Sequence, residues 1–141
     1  MAAGDWNGSK RAVRFYFGNT HAMVPTPNNL KKDLLNTKIT NRWCMFVKLD
    51  NDEKESGRYI EQITYHLHPT YRINKIVIKE APFLLSRLAW GYFDITMHIK
   101  FKEWTGLGTR ELVHELSFTR GGKTESMFAE IDEDKPLHKQ R

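Results

Sequence analysis

Cysteine is nearly absent: the 141 residues contain one, Cys44. A single thiol excludes an internal disulfide and a cysteine-rich zinc site and fits a reducing compartment, and within a strand-like run Cys44 reads as a small buried apolar residue. No apolar run approaches the roughly 18 residues of a membrane-spanning helix. No charged-then-apolar leader opens the chain, so neither a membrane span nor a secretion signal is expected. Blocks of one charge are missing as well. Lys and Arg number 22 against 17 Asp and Glu, for a net charge of +5, but the basic residues are scattered. That balance is compatible with an acidic partner or nucleic acid, whereas sequence-specific DNA reading, which needs a basic stripe on a groove-entering element, is not expected. Internal repeats and low-complexity segments are also lacking.

What is present is a composition of 40% hydrophobic and 28% charged residues, which lies near globular averages and predicts a folded chain. The length suits one domain. Residues 1–9 are small and polar apart from Trp6, and residues 132–141 are almost all charged or polar. The expected organisation is a domain over 10–131 between two flexible tails.

The dominant period is two. Val13, Phe15 and Phe17 alternate with Arg14 and Tyr16, and Trp43, Met45, Val47 and Leu49 alternate with Cys44, Phe46 and Lys48. Further alternating sets are Ile63, Tyr65 and Leu67; Ile76 and Ile78; Phe93, Ile95, Met97, Ile99 and Phe101; and Leu112, His114, Leu116 and Phe118. Residues 124–131 add another candidate strand. Turn chemistry is placed at Gly18-Asn19, Pro25 to Asn29, Asp50 to Gly57, Pro69 with Asn74, Pro82, Gly106 to Gly108 and Gly121-Gly122. The helix candidate, Leu30 to Leu35, offers one or two turns. About seven to eight short strands with almost no helix predict an all-β, immunoglobulin-like antiparallel β-sandwich.

Catalytic and metal chemistry find little support. His66 and His68, two apart in a strand, would share a face, but no further ligand set accompanies them, so no metal is expected and structural or pocket-lining histidines are the better reading. Ser86, Ser117 and Thr70 lie in no nucleophile elbow, and the pairs Asp50/Asp52 and Asp132/Asp134 fall in charged loops or tails. No cofactor and no enzymatic activity are expected.

Aromatic chemistry is stronger. His68, Thr70, Tyr71, Trp90, Tyr92 and Phe93 fall in turns that bracket strands, where a sandwich presents ligand-binding loops. Two facing rings with a hydroxyl and a free backbone N–H at the base would form a slot for a neutral amide. Equally, Trp90 and Tyr71 could cap the end of the core.

The run YHLHPTYRINKIVIKEAPFLLSRLAWGYFDITMHIKF resembles the central signature of the YEATS domain family. Its elements here are Leu67-His68-Pro69-Thr70-Tyr71, Pro82-Phe83 and Ala89-Trp90-Gly91-Tyr92-Phe93. FGNT from Phe17, TNRWCMFVK from Thr40 and HELSF from His114 are similar to flanking family strands, so the resemblance spans about residues 11 to 118.

The resemblance implies an immunoglobulin-like sandwich that reads acetyl- or crotonyl-type lysine on histone tails, in the nucleus, within a histone acetyltransferase or chromatin-remodelling complex. It assigns Tyr71 and Trp90 to the two walls of the acyl-lysine slot, the Thr70 hydroxyl to the lysine N–H, and the Trp90 backbone N–H to the acyl carbonyl. His68 would buttress Thr70, Gly91 would permit the bend, and Tyr92 would touch peptide or solvent. Phe93 and Ile39 would support the pocket, and Glu115 would meet a basic residue of the peptide or remain solvated. Ala89 replaces the glycine usual before the aromatic; a methyl there would be costly if the site needed positive φ or close ligand approach. The alternative function is an interaction scaffold of a chromatin complex with a weak or vestigial pocket.

Overall fold

The computed structural model describes residues 10–27, 39–49 and 55–132. Eight strands follow one another: β1 (Lys10–Pro25), β2 (Ile39–Lys48), β3 (Ile60–His66), β4 (Lys75–Ile78), β5 (Leu85–Ala89), β6 (Asp94–Phe101), β7 (Thr109–Glu115) and β8 (Gly122–Asp132). They build two antiparallel four-stranded sheets, ordered β5-β2-β1-β8 and β4-β3-β6-β7. The immunoglobulin-like sandwich read from the period of two is therefore the fold. The helix candidate at Leu30 to Leu35, residues 1–9 and residues 133–141 lie outside the described residues, while Asp132, assigned to a tail, ends β8.

Alternation fixes which side chains meet between the sheets. Phe15, Trp43, Met45 and Val47 from one sheet and Ile63, Tyr65, Ile95, Met97 and Ile99 from the other are fully buried. Cys44, on the opposite parity of β2, stays half-buried on the outer side rather than in the core, and burial pushes its thiol above the usual range. Phe46 shares that parity yet is buried, because it lies opposite Gly18 in the β1–β2 register; a ring beside a glycine covers backbone that no side chain shields.

Gly18-Asn19 is not a turn. β1 runs through it, paired with β2 on one side and β8 on the other. The glycine serves close approach: at φ 155°, a Cβ on Gly18 would come within 2.1 Å of the Lys123 carbonyl oxygen. Asn19 is buried because it ties the two sheets together. Its Nδ2 donates to the Ser117 carbonyl (2.8 Å) and its Oδ1 accepts from the Ser117 N–H (3.0 Å), which fixes the amide's orientation. Nε2 of His114, 2.7 Å from that same Oδ1, must then be a donor, while Nδ1 meets the Glu125 carboxylate at 2.5 Å. His114 thus occupies an inward position of β7 as a fully bonded polar group, not as part of an apolar row.

β5 is the strand that the hydrophobic pattern does not reveal. It pairs with β2 from Asn41↔Ala89 to Met45↔Leu85. Its placement depends on the preceding loop, where Phe83 sits at φ 59°, a region costly for a residue with a bulky side chain. The surroundings over-determine that conformation: the ring is fully buried, the carbonyl accepts from the Tyr65 hydroxyl at 2.7 Å, and the neighbouring Pro82 carbonyl accepts from the Val47 N–H at 2.9 Å.

Candidate functional site

The end of β3, the end of β5 and the start of β6 converge at one end of the sandwich. β3 stops at His66, so His66 and His68 do not share a strand face. His66 turns to the outer surface of its sheet, where its Nε2 lies 2.8 Å from Nδ1 of His98, whose Nε2 meets Glu111 at 2.9 Å. Burial, then the neighbouring His98 and Lys75, lower the His66 pKa against the opposing pull of Glu111. Among the described residues, no group of three or more His, Cys, Asp or Glu side chains could hold a metal ion.

His68 faces the other way, into a tight turn. Its Nδ1 accepts the Thr70 backbone N–H at 3.1 Å and lies 3.0 Å from the Thr70 hydroxyl. A nitrogen that accepts a backbone N–H presents a lone pair, so the hydroxyl hydrogen also points to it. The Thr70 oxygen is left with its own lone pairs outward, an acceptor for an incoming N–H.

Tyr71 is half-buried, with its ring against Trp43 (6.4 Å between centroids) and Phe93 (5.6 Å). Its hydroxyl donates to the Leu88 carbonyl at 2.5 Å and accepts from the Trp43 indole at 3.2 Å. Burial raises the Tyr71 pKa, with Trp43 and Arg87 opposing. Since the phenol oxygen is engaged inside the protein, what Tyr71 offers outward is its ring.

Trp90 is 67% exposed, held edge-on to His68 at 6.1 Å. Phe93 touches His68 (5.8 Å), Tyr71 and Trp43 (6.1 Å), packing partly against the core. The rings therefore run Trp90, His68, Phe93, Tyr71, with His68 and Phe93 between the two walls. Tyr92 is 64% exposed and lies on Phe118 at 4.8 Å, which is stacked on His21 at 4.5 Å. Ile39 opens β2 and is exposed. Glu115 is exposed and pairs in register with Asp94, placing two carboxylates opposite one another at the start of β6.

Two glycine expectations change. Ala89 is not at positive φ: among the described non-glycine residues that region holds Phe83 and Arg120. Ala89 ends β5 with its methyl in the core, so strand geometry accommodates the side chain. Nor does Gly91 owe its identity to the bend: its φ lies outside the left-handed region, and an added Cβ would meet nothing within 4 Å. Reasoning from sequence missed the contributions of Thr40, Asn41 and His21, which reach the Ala89 carbonyl directly or through one another. Parity puts His21 and Asn41 on the inward face, but it does not say which strand ends they meet, and Thr40, of the opposite parity, is buried all the same.

Together these features define an immunoglobulin-like domain with a cluster of aromatic rings at the loops of one end. Residues 38–120 match the model of the YEATS family. The chain belongs to that family. Among curated proteins it is similar to Protein AF-9 homolog of Saccharomyces cerevisiae, 31% identical over 100 residues that cover 71% of this chain and 42% of that protein. The Candida albicans Protein AF-9 homolog is 27% identical, over 71% of this chain and 39% of that protein. The chain thus spans about two fifths of the length of these relatives. Among solved structures, the yeast AF-9 homolog protein Yaf9 superposes with a TM-score of 0.76 at 21% identity, covering 93% of this chain and 85% of that one. The Yaf9 YEATS domain bound to H3K27ac gives 0.75 at 21% identity, covering 93% and 92%.

Proposed function

We propose that this chain is a reader of acylated lysine on histone tails. The observation that carries the reading is an exposed indole, Trp90, edge-on to His68 in one run of rings that ends at Tyr71, beside a threonine hydroxyl whose hydrogen is held by His68. A neutral acyl-amide between the rings buries apolar surface and stacks on two π-faces, while its N–H finds the Thr70 oxygen and its carbonyl finds the Trp90 N–H, so no polar atom is buried unpaired. An unmodified ammonium would lose its hydration with no anion in the slot, and stacking on the rings returns part of that cost.

Like charges directly opposite across strands repel. The Asp94/Glu115 pair is therefore a place where a basic residue of the tail gains most. The Yaf9 YEATS domain has been solved bound to H3K27ac and recognising an H3K122suc peptide, and a Transcription initiation factor TFIID subunit 14 of Schizosaccharomyces pombe is 25% identical over 84 residues. These support a histone ligand, work in the nucleus and membership of a multi-subunit complex, which we propose to be of the histone acetyltransferase or chromatin-remodelling kind. The reading unit is the sandwich, expected over residues 10–131 and extended by β8 to Asp132. It acts by binding without turning the acyl group over, so an acyl peptide stays intact by mass spectrometry after long incubation.

Amide chemical-shift mapping tests the proposal. Matched histone-tail peptides, unmodified, acetylated and crotonylated, are titrated into labelled protein. Shifts centred on Thr70, Tyr71 and Trp90 with the acylated peptides alone support it; equal weak shifts with all three point to an interaction scaffold instead.

A further inference from the structure

Trp90 is attached to β5 through one peptide unit, and β2 takes hold of that unit from its other side. Thr40 Oγ1 and Asn41 Nδ2 each lie 3.4 Å from the Ala89 carbonyl oxygen. The Ala89–Trp90 peptide is trans; the cis bond among the described residues is Ala81–Pro82. In a planar trans peptide the N–H points opposite to the C=O. Whatever draws the Ala89 oxygen toward β2 therefore aims the Trp90 N–H away from it. Among the described residues, no turn or loop hydrogen bond uses that N–H.

Asn41 is itself oriented. Its Oδ1 lies 2.8 Å from Nε2 of His21, whose N–H can donate to it, and this leaves the Asn41 NH2 group for Ala89. The His21 ring is stacked on Phe118 (17° between planes), and Phe118 carries Tyr92. The relay starts at Tyr92 and ends at Ala89, the two residues that flank Trp90-Gly91. Both ends of the bend are thus gripped by one set of contacts.

We infer that Asn41, assisted by Thr40 and held by His21, is a positioning residue that sets the direction of the Trp90 N–H, the donor assigned to the acyl carbonyl. The inference rests on the acyl-lysine reading for its purpose, though not for its geometry. A merely structural Asn41 would close the end of the β2–β5 pair and affect stability alone.

Asn41→Asp keeps the shape and turns a donor into an acceptor facing the Ala89 oxygen. His21→Phe keeps the stack on Phe118 and removes the nitrogen. Thr40→Val removes the hydroxyl at nearly constant volume. Three quantities are measured on each: the residual dipolar coupling of the Trp90 N–H in the free protein, the Kd for the acetylated peptide, and the Tm. The expected result for Asn41→Asp is a changed Trp90 coupling with the β1–β8 couplings unchanged, and an affinity about tenfold weaker, as for one lost hydrogen bond. Asn41→His, which restores an N–H donor, recovers part of both.

If Asn41→Asp does not fold, His21→Phe and Thr40→Val decide the matter by the same readouts. Folded variants with an unaltered Trp90 coupling overturn the inference even if Tm falls. Should the wild-type protein bind no acylated peptide, the reader proposal fails while the dipolar coupling still decides the positioning claim.

Discussion

At the residue scale, the site separates groups that hold from groups that are held. The Tyr71 hydroxyl and Nδ1 of His68 are committed within the protein, which leaves the exposed Trp90 indole and the Thr70 oxygen as the groups proposed to meet the ligand. Trp90→Ala should weaken acetyl-peptide binding at least about thirtyfold, the loss of roughly 2 kcal/mol expected of a stacked aromatic anchor, with the Tm nearly unchanged because the indole is exposed. Calorimetry and a thermal melt on the same sample check both halves. Gly91→Ala is expected to leave the melting curve in place, since its Cβ meets nothing in the protein, yet to lower acyl-peptide affinity if the ligand fills that space.

The clustering of these residues was legible in part. Turn residues and aromatics at His68, Thr70, Tyr71 and Trp90 were visible as types in a pattern. What could not be read was the reason for Gly91, or the reach of Asn41 and His21. Those depend on which strand ends lie side by side, and no local period encodes that.

At the scale of elements, six of the strands announced themselves by alternation, and a seventh, β8, was marked as residues 124–131. β5 did not: in LSRLA the buried positions are its two ends, Leu85 and Ala89. Its position comes from the turn before it. Phe83→Ala should cost about 3 kcal/mol or more in denaturant unfolding, as for a fully buried aromatic ring, and should weaken acyl-peptide binding in any folded fraction because Leu88 and Ala89 lose their register. The Gly18-Asn19 pair misled for the opposite reason. Glycine marks turns, but it also marks places where two backbones come close, and here the second use applies. Gly18→Ala would force the Lys123 carbonyl away and is expected to lower stability sharply, measurable as a fall in the denaturation midpoint.

At the scale of the whole molecule, two apolar sheet faces make the core, and polar groups complete the closure. The Asn19–His114–Glu125 set joins the sheets on one side, and the His66–His98–Glu111 row crosses the outer face of the second sheet. The His66 pKa is lowered in the folded state, so the native protein favours the neutral imidazole. The unfolded chain then binds more protons as pH falls through the ordinary histidine value of about 6.5 and below. The contribution of His66 to stability is present above that value and lost toward the lowered folded one. Unfolding free energy should therefore decline as pH falls below about 6.5, and His66→Gln should flatten part of that slope. The overall sandwich was legible because strand period and turn chemistry agree along most of the chain, whereas these polar closures link residues up to 95 positions apart and surface only in the fold.

The most direct test of the reader account is the affinity difference between acetylated and unmodified forms of one histone-tail peptide, measured by calorimetry on wild type and Trp90→Ala. The account predicts clear preference for the acetylated form in the wild type and its disappearance in the variant. Equal affinity for both forms, or a preference that survives removal of the indole, would contradict it.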